Sequence, residues 1–272
     1  MTALSDIPPA QPPRRTKRRF ASMRAVMALL LREMSTSYGR SPGGYVWAVL
    51  EPAAGIALLS LVFSLGFRSP PLGVNFPMFY ATGLVPFILF TDVTMKTAMS
   101  LKFSRQLMAY PTVTFMDSIL ARFLLNGMTQ LLVGYLLFFG IMLAFDTRVM
   151  PDFAIIAQAY GLVLLLSLGI GVFNCFLMTR FDIWQRFWSI LTRPLFIISG
   201  IFFLYESVPL PYREWLWYNP ILQIVGLLRS GFYPSYDASY VSQGYLAGIG
   251  LISLVTGLFL LRRYHRDLLS RF

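Results

Sequence analysis

Cysteine and histidine are almost missing from this chain. Cys175 is the only thiol and His265 the only imidazole in 272 residues. That excludes a disulfide framework and any paired-thiol or His-rich metal centre, and Cys175, set in an apolar run, reads as a small hydrophobe. Charge is scarce too: 13% of residues are Asp, Glu, Lys or Arg, and only 12 of those are acidic. Phosphate-binding and catalytic signatures are absent. There is no GxxxxGK[ST] loop, and GRSPGG (39–44) lacks both the lysine and a preceding strand. No GxSxG elbow, HExxH pair or cluster of carboxylates offers a catalytic site. The chain is therefore read as having no nucleotide-hydrolysing, metal or other catalytic centre of its own.

What is abundant is apolar surface. Hydrophobic residues make up 56% of the chain and mean hydropathy is +0.62, far from the balance of a soluble domain. The class expected is an all-α integral membrane protein. The net charge of +11 does not point to nucleic acid, because the basic residues sit between apolar runs and form no aromatic-interleaved groove.

A hydrocarbon core of about 30 Å needs about 20 apolar helical residues. Six segments meet or approach that length: 46–67, 77–95, 115–145, 154–179, 187–205 and 244–262. Their Lys and Arg residues are placed asymmetrically. One side holds Arg14, Arg15, Lys17, Arg18, Arg19, Arg24, Arg32 and Arg40, then Lys96, Lys102 and Arg105, then Arg180 and Arg186, then Arg262, Arg263, Arg266 and Arg271. The other holds only Arg68, Arg148, Arg213 and Arg229, so the positive-inside rule puts both termini in the cytoplasm. A seventh span within 206–243 would break that pattern. The pieces WLWYNP and ILQIVGLL are read instead as two short re-entrant or interfacial helices on the outer face, with Trp215, Trp217 and Tyr218 at headgroup level. A plain interfacial aromatic belt explains those rings equally well.

The stretch FASMRAVMALLLREMSTSYGRSPGGYVWAVLEP (20–52) is the most informative. On a 3.6-residue period Phe20, Met23, Val26, Met27, Leu30, Leu31, Met34 and Tyr38 share one arc, while Arg24, Arg32, Glu33, Ser35 and Thr36 lie opposite. That is an interfacial amphipathic helix over 20–40, ended by Gly39, Pro42, Gly43 and Gly44, with Trp47 at headgroup depth as the first span begins. Residues 1–19, rich in Pro and Arg without an apolar h-region, read as a disordered basic tail rather than a cleavable signal. The membrane domain then occupies 45–265.

Ionisable residues near the spans are costly at mid-bilayer, on the order of 2.5–3.5 kcal/mol each, but their depth softens most of them. Asp92 and Lys96 have the i,i+4 spacing of an ion pair. Asp117, Arg122 and Arg193 lie close to the inner face, and Glu51 is near enough to the interface for hydrogen bonding. No relay of carboxylates or histidines crosses the membrane. The second-to-third connection, TAMSLKFSRQLMAYP (97–111), reads as a short cytoplasmic helix with Lys102 and Arg105 on a polar side and Leu101, Met108 and Tyr110 as apolar knobs, which fits a groove on a cytosolic partner. A solvated loop with snorkelling basic residues fits the same composition. Aromatics form 16% of the chain, and Phe63, Phe67, Phe196, Phe202, Phe203 and Tyr205 are candidates for lining a conduit over which sugar rings could slide, with lipid-facing packing the alternative for each.

Four stretches in order carry a family resemblance: ALLLREMSTSYGRSPGGYVWAVLEP, LMAYPTVTFMDSILARFLL, RPLFIISGIFF and WYNPILQIVGLLRSGFYPSY. Together they resemble the type-2 ABC exporter permeases that export capsular polysaccharide, with O-antigen and teichoic-acid permeases as relatives of the same architecture. Ser37, Pro42 and Gly43 depart from the pattern at the interfacial turn. The resemblance implies a homodimer in the bacterial inner membrane, docked on a separate cytosolic ATPase that uses the ATP, with no cofactor on this chain. It implies a coupling helix near 97–110, with Lys102, Arg105, Met108, Tyr110, Arg32 and Glu33 facing the ATPase. The first and fifth spans would flank the conduit, and Trp215, Trp217 and Tyr218 its outer rim. The cargo would be a lipid-linked polysaccharide, and by analogy a periplasmic adaptor and an outer-membrane channel would follow. The same architecture admits another cargo, such as O-antigen, teichoic acid or a smaller lipid or drug. A membrane enzyme acting on lipid-linked sugars would need a catalytic cluster that the sequence lacks.

Overall fold

The computed structural model describes residues 21–37, 44–105 and 114–270, with side chains placed for 23–34, 44–105 and 114–264. Every regular element among them is helical. Helices satisfy all their own backbone hydrogen bonds, which a chain this apolar requires where no water is available. In order they are α1 (Ala21–Ser37), α2 (Tyr45–Gly66), α3 (Phe76–Ala98), α4 (Ser100–Phe103), α5 (Phe115–Ala144), α6 (Phe153–Arg180), α7 (Trp184–Ile198), α8 (Leu210–Trp217), α9 (Pro220–Phe232) and α10 (Gln243–Ser270). The basic tail 1–19 lies outside the described residues.

Side chains start several of these helices. Thr114 and Asp117 form a capping box at α5: the Asp117 amide donates to Thr114 Oγ1, and the Thr114 amide donates to the Asp117 carboxylate at 3.0 Å. Asp117, read in the sequence as lying close to the inner face, is thus a cap. Asp152 accepts from the amides of Ala154 and Ile155 at α6, and Asn219 from those of Ile221 and Leu222 at α9, whose first residue is Pro220.

Among the described residues five helices are long and apolar enough to cross a membrane: α2, α3, α5, α6 and α10 over Gln243–Tyr264. They correspond to the first four segments and the last one read from the sequence. The expected fifth span, 187–205, is different. Its helix is α7, 15 residues, which at 1.5 Å per residue is about 22 Å and short of a bilayer core. The physical reason is Gly200, at φ 75°: a left-handed residue just past the last helical turn stops α7, and the apolar residues 201–204 continue as irregular chain. The two short helices expected in 206–243 are present as α8 and α9.

Helix α3 is the centre, packed against α5, α6, α2 and α9 through Met78, Phe79, Phe90 and their neighbours Leu166 and Ile224. Helix α10 lies along α6 so closely that a Cβ on Gly169 would meet the Gly250 carbonyl oxygen at 2.0 Å, and one on Gly257 the Phe173 amide at 2.7 Å. Small residues permit such backbone approach where helices have only packing to hold them together. Helix α1 rests on α5. By contrast α7 buries none of its residues and α2 only Pro52, Ile56 and Ser60.

Candidate functional site

At the end of the bundle where α1, α4 and the start of α7 meet, the acidic and basic residues are organised by Arg122. Its Nε donates to Glu33 Oε1 at 2.7 Å, its Nη1 to the Lys96 carbonyl at 3.4 Å, and its guanidinium lies 4.1 Å from the Phe103 ring centroid. Lys96 pairs with Asp92 at 3.0 Å, as the i,i+4 spacing predicts, and Gln130 donates to the same carboxylate at 2.7 Å. One residue therefore joins α1, α3, α4 and α5. The sequence reading gave Glu33 to an external partner. In this chain its side chain is buried against Arg122, a pair that holds α1 to α5. Arg32 is half-buried, 6.0 Å from the Phe103 centroid.

Of the expected coupling helix, 97–110, Thr97 and Ala98 end α3, Ser100–Phe103 form α4, and 106–110 lie outside the described residues. Leu101, read as an outward knob, is buried against Ile119, Val172 and Cys175, because α4 lies in the angle between α5 and α6. Lys102 lies 3.7 Å from the fully exposed Asp182, and Arg105 is exposed. Met108 and Tyr110 lie outside the described residues. Lys102 and Asp182 also line a cavity of about 590 Å³ with Gln185, Arg186, Ser189 and Arg193, so three cations face it against one carboxylate. The sequence did not bring α4 and α7 together.

Around the C-terminal end of α2, four of the six conduit candidates form one aromatic chain. Phe63 stacks on Phe67 (6.0 Å between centroids) and on Phe202 (5.8 Å), and Phe202 meets Phe196 edge-on at 5.3 Å. Tyr80 and Phe87 of α3 back the chain. Phe203 and Tyr205 are not part of it; Tyr205 stacks on Tyr240 at 4.0 Å.

At the opposite end, Tyr205, Glu214, Trp215, Trp217 and Tyr218 line a cavity of about 620 Å³, which brings all three rim candidates together. Trp215 is 81% exposed, whereas Trp217 is tied down, its indole donating to the Tyr240 carbonyl at 2.8 Å. Tyr236 donates to the Glu206 carboxylate at 3.1 Å and meets Tyr240 Oη at 3.2 Å. Burial raises the pKa of both phenols, that of Tyr240 to about 12, and the Glu206 carboxylate adds to the rise in each, so they stay protonated donors at neutral pH.

Sequence counting treated Arg229 as an outer loop cation. It is 1% exposed inside α9, with its guanidinium 4.3 Å from the Phe79 ring centroid. The available signal was one cation within the apolar run PILQIVGLLRSGF, which a loop tally cannot weigh. No group of three or more His, Cys, Asp or Glu that could hold a metal occurs among the described residues.

The sequence signature of the family described as ABC-2 type transporter matches residues 24–233. The chain is 32% identical over 245 residues to the polysialic acid transport protein KpsM of Escherichia coli, covering 90% of this chain and 95% of that protein. It is 24% identical to the capsule polysaccharide export inner-membrane protein CtrC of Neisseria meningitidis, over 89% of this chain and 92% of the relative. The capsule polysaccharide export inner-membrane protein BexB of Haemophilus influenzae has the same identity and coverage.

Proposed function

The chain belongs to the ABC-2 type transporter family, and from that premise we propose that it is the inner-membrane permease subunit of an exporter of capsular polysaccharide. The observation that carries this reading is similarity to permeases named for that cargo over about nine-tenths of both chains. The absence of a phosphate-binding loop from the sequence fits a subunit whose ATP is hydrolysed by a separate cytosolic chain.

The end carrying α1, α4 and the start of α7 is the cytoplasmic one, on the distribution of Lys and Arg. Lys102 and Arg105 meet the ATPase there, beside the basic cavity lined by Arg186 and Arg193, which suits an anionic, lipid-linked cargo. The chain crosses six times: α7 and the irregular residues 199–204 make the fifth passage, with Ser199, Gly200 and Ile201 buried in protein, the condition under which non-helical backbone is tolerated at membrane depth. Helices α8 and α9 form the outer mouth. The exposed apolar faces of α2, with Leu50, Leu58, Leu61 and Leu65, and of α7, with Ile190 and Ile197, support a homodimer closed around the aromatic chain. A periplasmic adaptor and an outer-membrane channel would take over the polymer beyond the mouth.

The test is reconstitution of the chain with its ATPase in vesicles carrying lipid-linked polysaccharide. ATP-dependent movement of polymer to the far side of the membrane is the expected result. Glycosyl transfer or hydrolysis by the chain alone would overturn the assignment, as would ATP-dependent movement of small lipids but never of polymer.

A further inference from the structure

Residues 199–204 form a strap that leads from α7 towards α8. Three side chains take up carbonyls of the strap and of the last turn of α7. Ser199 donates to the Leu195 carbonyl, Asn219 Nδ2 to that of Ile198 at 3.0 Å, and Arg229 to two: Nη1 to Phe203 at 3.0 Å and Nη2 to Ile201 at 3.3 Å. Helix α3 clamps the strap from its other side. Phe79 stacks on the guanidinium, and a Cβ on Gly83 would stand 2.9 Å from the Ile201 Cα, so only glycine lets the strap sit this close. The strap also continues into α8 by bonds of Arg213 to the carbonyls of Glu206 and Val208.

A buried guanidinium is a poor choice if stability alone is at stake, because well-packed apolar residues serve as well or better. Arg229 has no ion-pair partner among the described residues, and its Nε is left without an acceptor. What it holds is a conformation. Gly200 would otherwise let α7 swing without moving α8 or α9. We infer that Arg229 is a positioning residue for export: by fixing the strap to α9 and α3 it makes α7 a lever, so displacement at its cytoplasmic end moves the outer helices instead of being absorbed at Gly200. This rests on the exporter reading above.

Two variants disturb the strap in different ways: Arg229→Lys keeps the charge but loses the planar fork, and Gly83→Ala keeps the guanidinium but pushes on the strap, its Cβ 2.9 Å from the Ile201 Cα and 3.4 Å from Arg229 Nη2. Each is made in the full chain, assembled with its ATPase in polymer-loaded vesicles, and combined with Phe203→Cys as a reporter. Native Cys175 is fully buried and stays silent to a membrane-impermeant maleimide. Reporter labelling roughly tenfold faster is expected, the shift for losing one charge-assisted hydrogen bond. ATP hydrolysis should persist while polymer moved per ATP falls roughly tenfold. Unchanged labelling, or export that falls only in proportion to the folded complex, would overturn the inference. Should Arg229→Lys fail to insert, Gly83→Ala decides by the same readings. Labelling needs no cargo, so a wild-type complex that exports nothing but shows a protected reporter would refute the exporter reading and leave the strap standing.

Discussion

Glu33 of α1 and Arg122 of α5 form a buried ion pair, with Nε and Oε1 2.7 Å apart. The pair is completed by the Phe103 ring and the Lys96 carbonyl, so the amphipathic helix is fixed to the bundle by a charge as well as by Val26. Removing one member leaves the other buried and unpaired. Arg122→Ala is expected to destabilise the folded protein by about 3–5 kcal/mol, and Glu33→Gln by less because the amide can still accept. Thermal unfolding in detergent measures both. Exchanging the two charges should recover part of the loss, and equal losses in the single and exchanged variants would show that the pairing is irrelevant.

Reversing the charges of Lys102 and Arg105 together is expected to weaken polymer-stimulated ATP hydrolysis in the assembled exporter. The contact between Lys102 and Asp182 is not the reason, since at 3.7 Å with one partner fully exposed it is screened by solvent and contributes little. Asp182→Ala therefore serves as the control and should hydrolyse ATP as the wild type does. Unchanged stimulation in the double variant would remove these two residues from the ATPase contact.

Five long helices were legible in the sequence because a bilayer sets their length and apolar content, and no other element competes for that pattern. The fifth segment departs from a single continuous helix for a local reason. RPLFIISGIFFLY is apolar enough to span, but one left-handed glycine divides it into a helix and a strap. The surroundings of Arg229 and Glu33 were hidden for a different one. Counting Lys and Arg by loop puts Arg229 in solvent and helical periodicity puts Glu33 on the polar face of α1, whereas both are held by partners distant in sequence: the carbonyls of Ile201 and Phe203 for one, and Arg122 for the other. The aromatic chain was half legible. Composition named the rings, but only packing separates Phe63, Phe67, Phe196 and Phe202 from Tyr205.

The cluster of Glu206, Tyr236 and Tyr240 should be insensitive to pH from neutrality until the phenols titrate. The Tyr240 pKa is raised from 10 to about 12 in the folded protein, so the protonated state stabilises the fold. That contribution is fully present below about 10, the unfolded value, and is lost as pH rises through about 12. Hydrogen exchange of residues 233–242 should be flat in protection from neutrality up to about 10 and fall above it. Tyr240→Phe removes that titration, and a fall that persists in this variant would assign it elsewhere.

The aromatic chain gives the sharpest test of the conduit. Phe63 and Phe202 are half-buried, and their rings pack on each other, with Phe63 also on Tyr80 and Phe202 on Phe196, so replacing either by Ala would confuse loss of packing with loss of a sliding surface. Leu keeps most of the bulk, and such swaps usually cost less than about 1.5 kcal/mol. Phe63→Leu and Phe202→Leu should therefore insert and melt nearly as the wild type does, yet export polymer several-fold more slowly, because a flat ring face is what a sugar ring can slide along. Tyr205→Leu should behave differently. It unstacks Tyr240 and loosens the outer module, so its effect should appear in hydrogen exchange of residues 233–242 before it appears in export. Wild-type polymer levels in both Phe variants would assign those rings to packing and move the conduit elsewhere in the bundle.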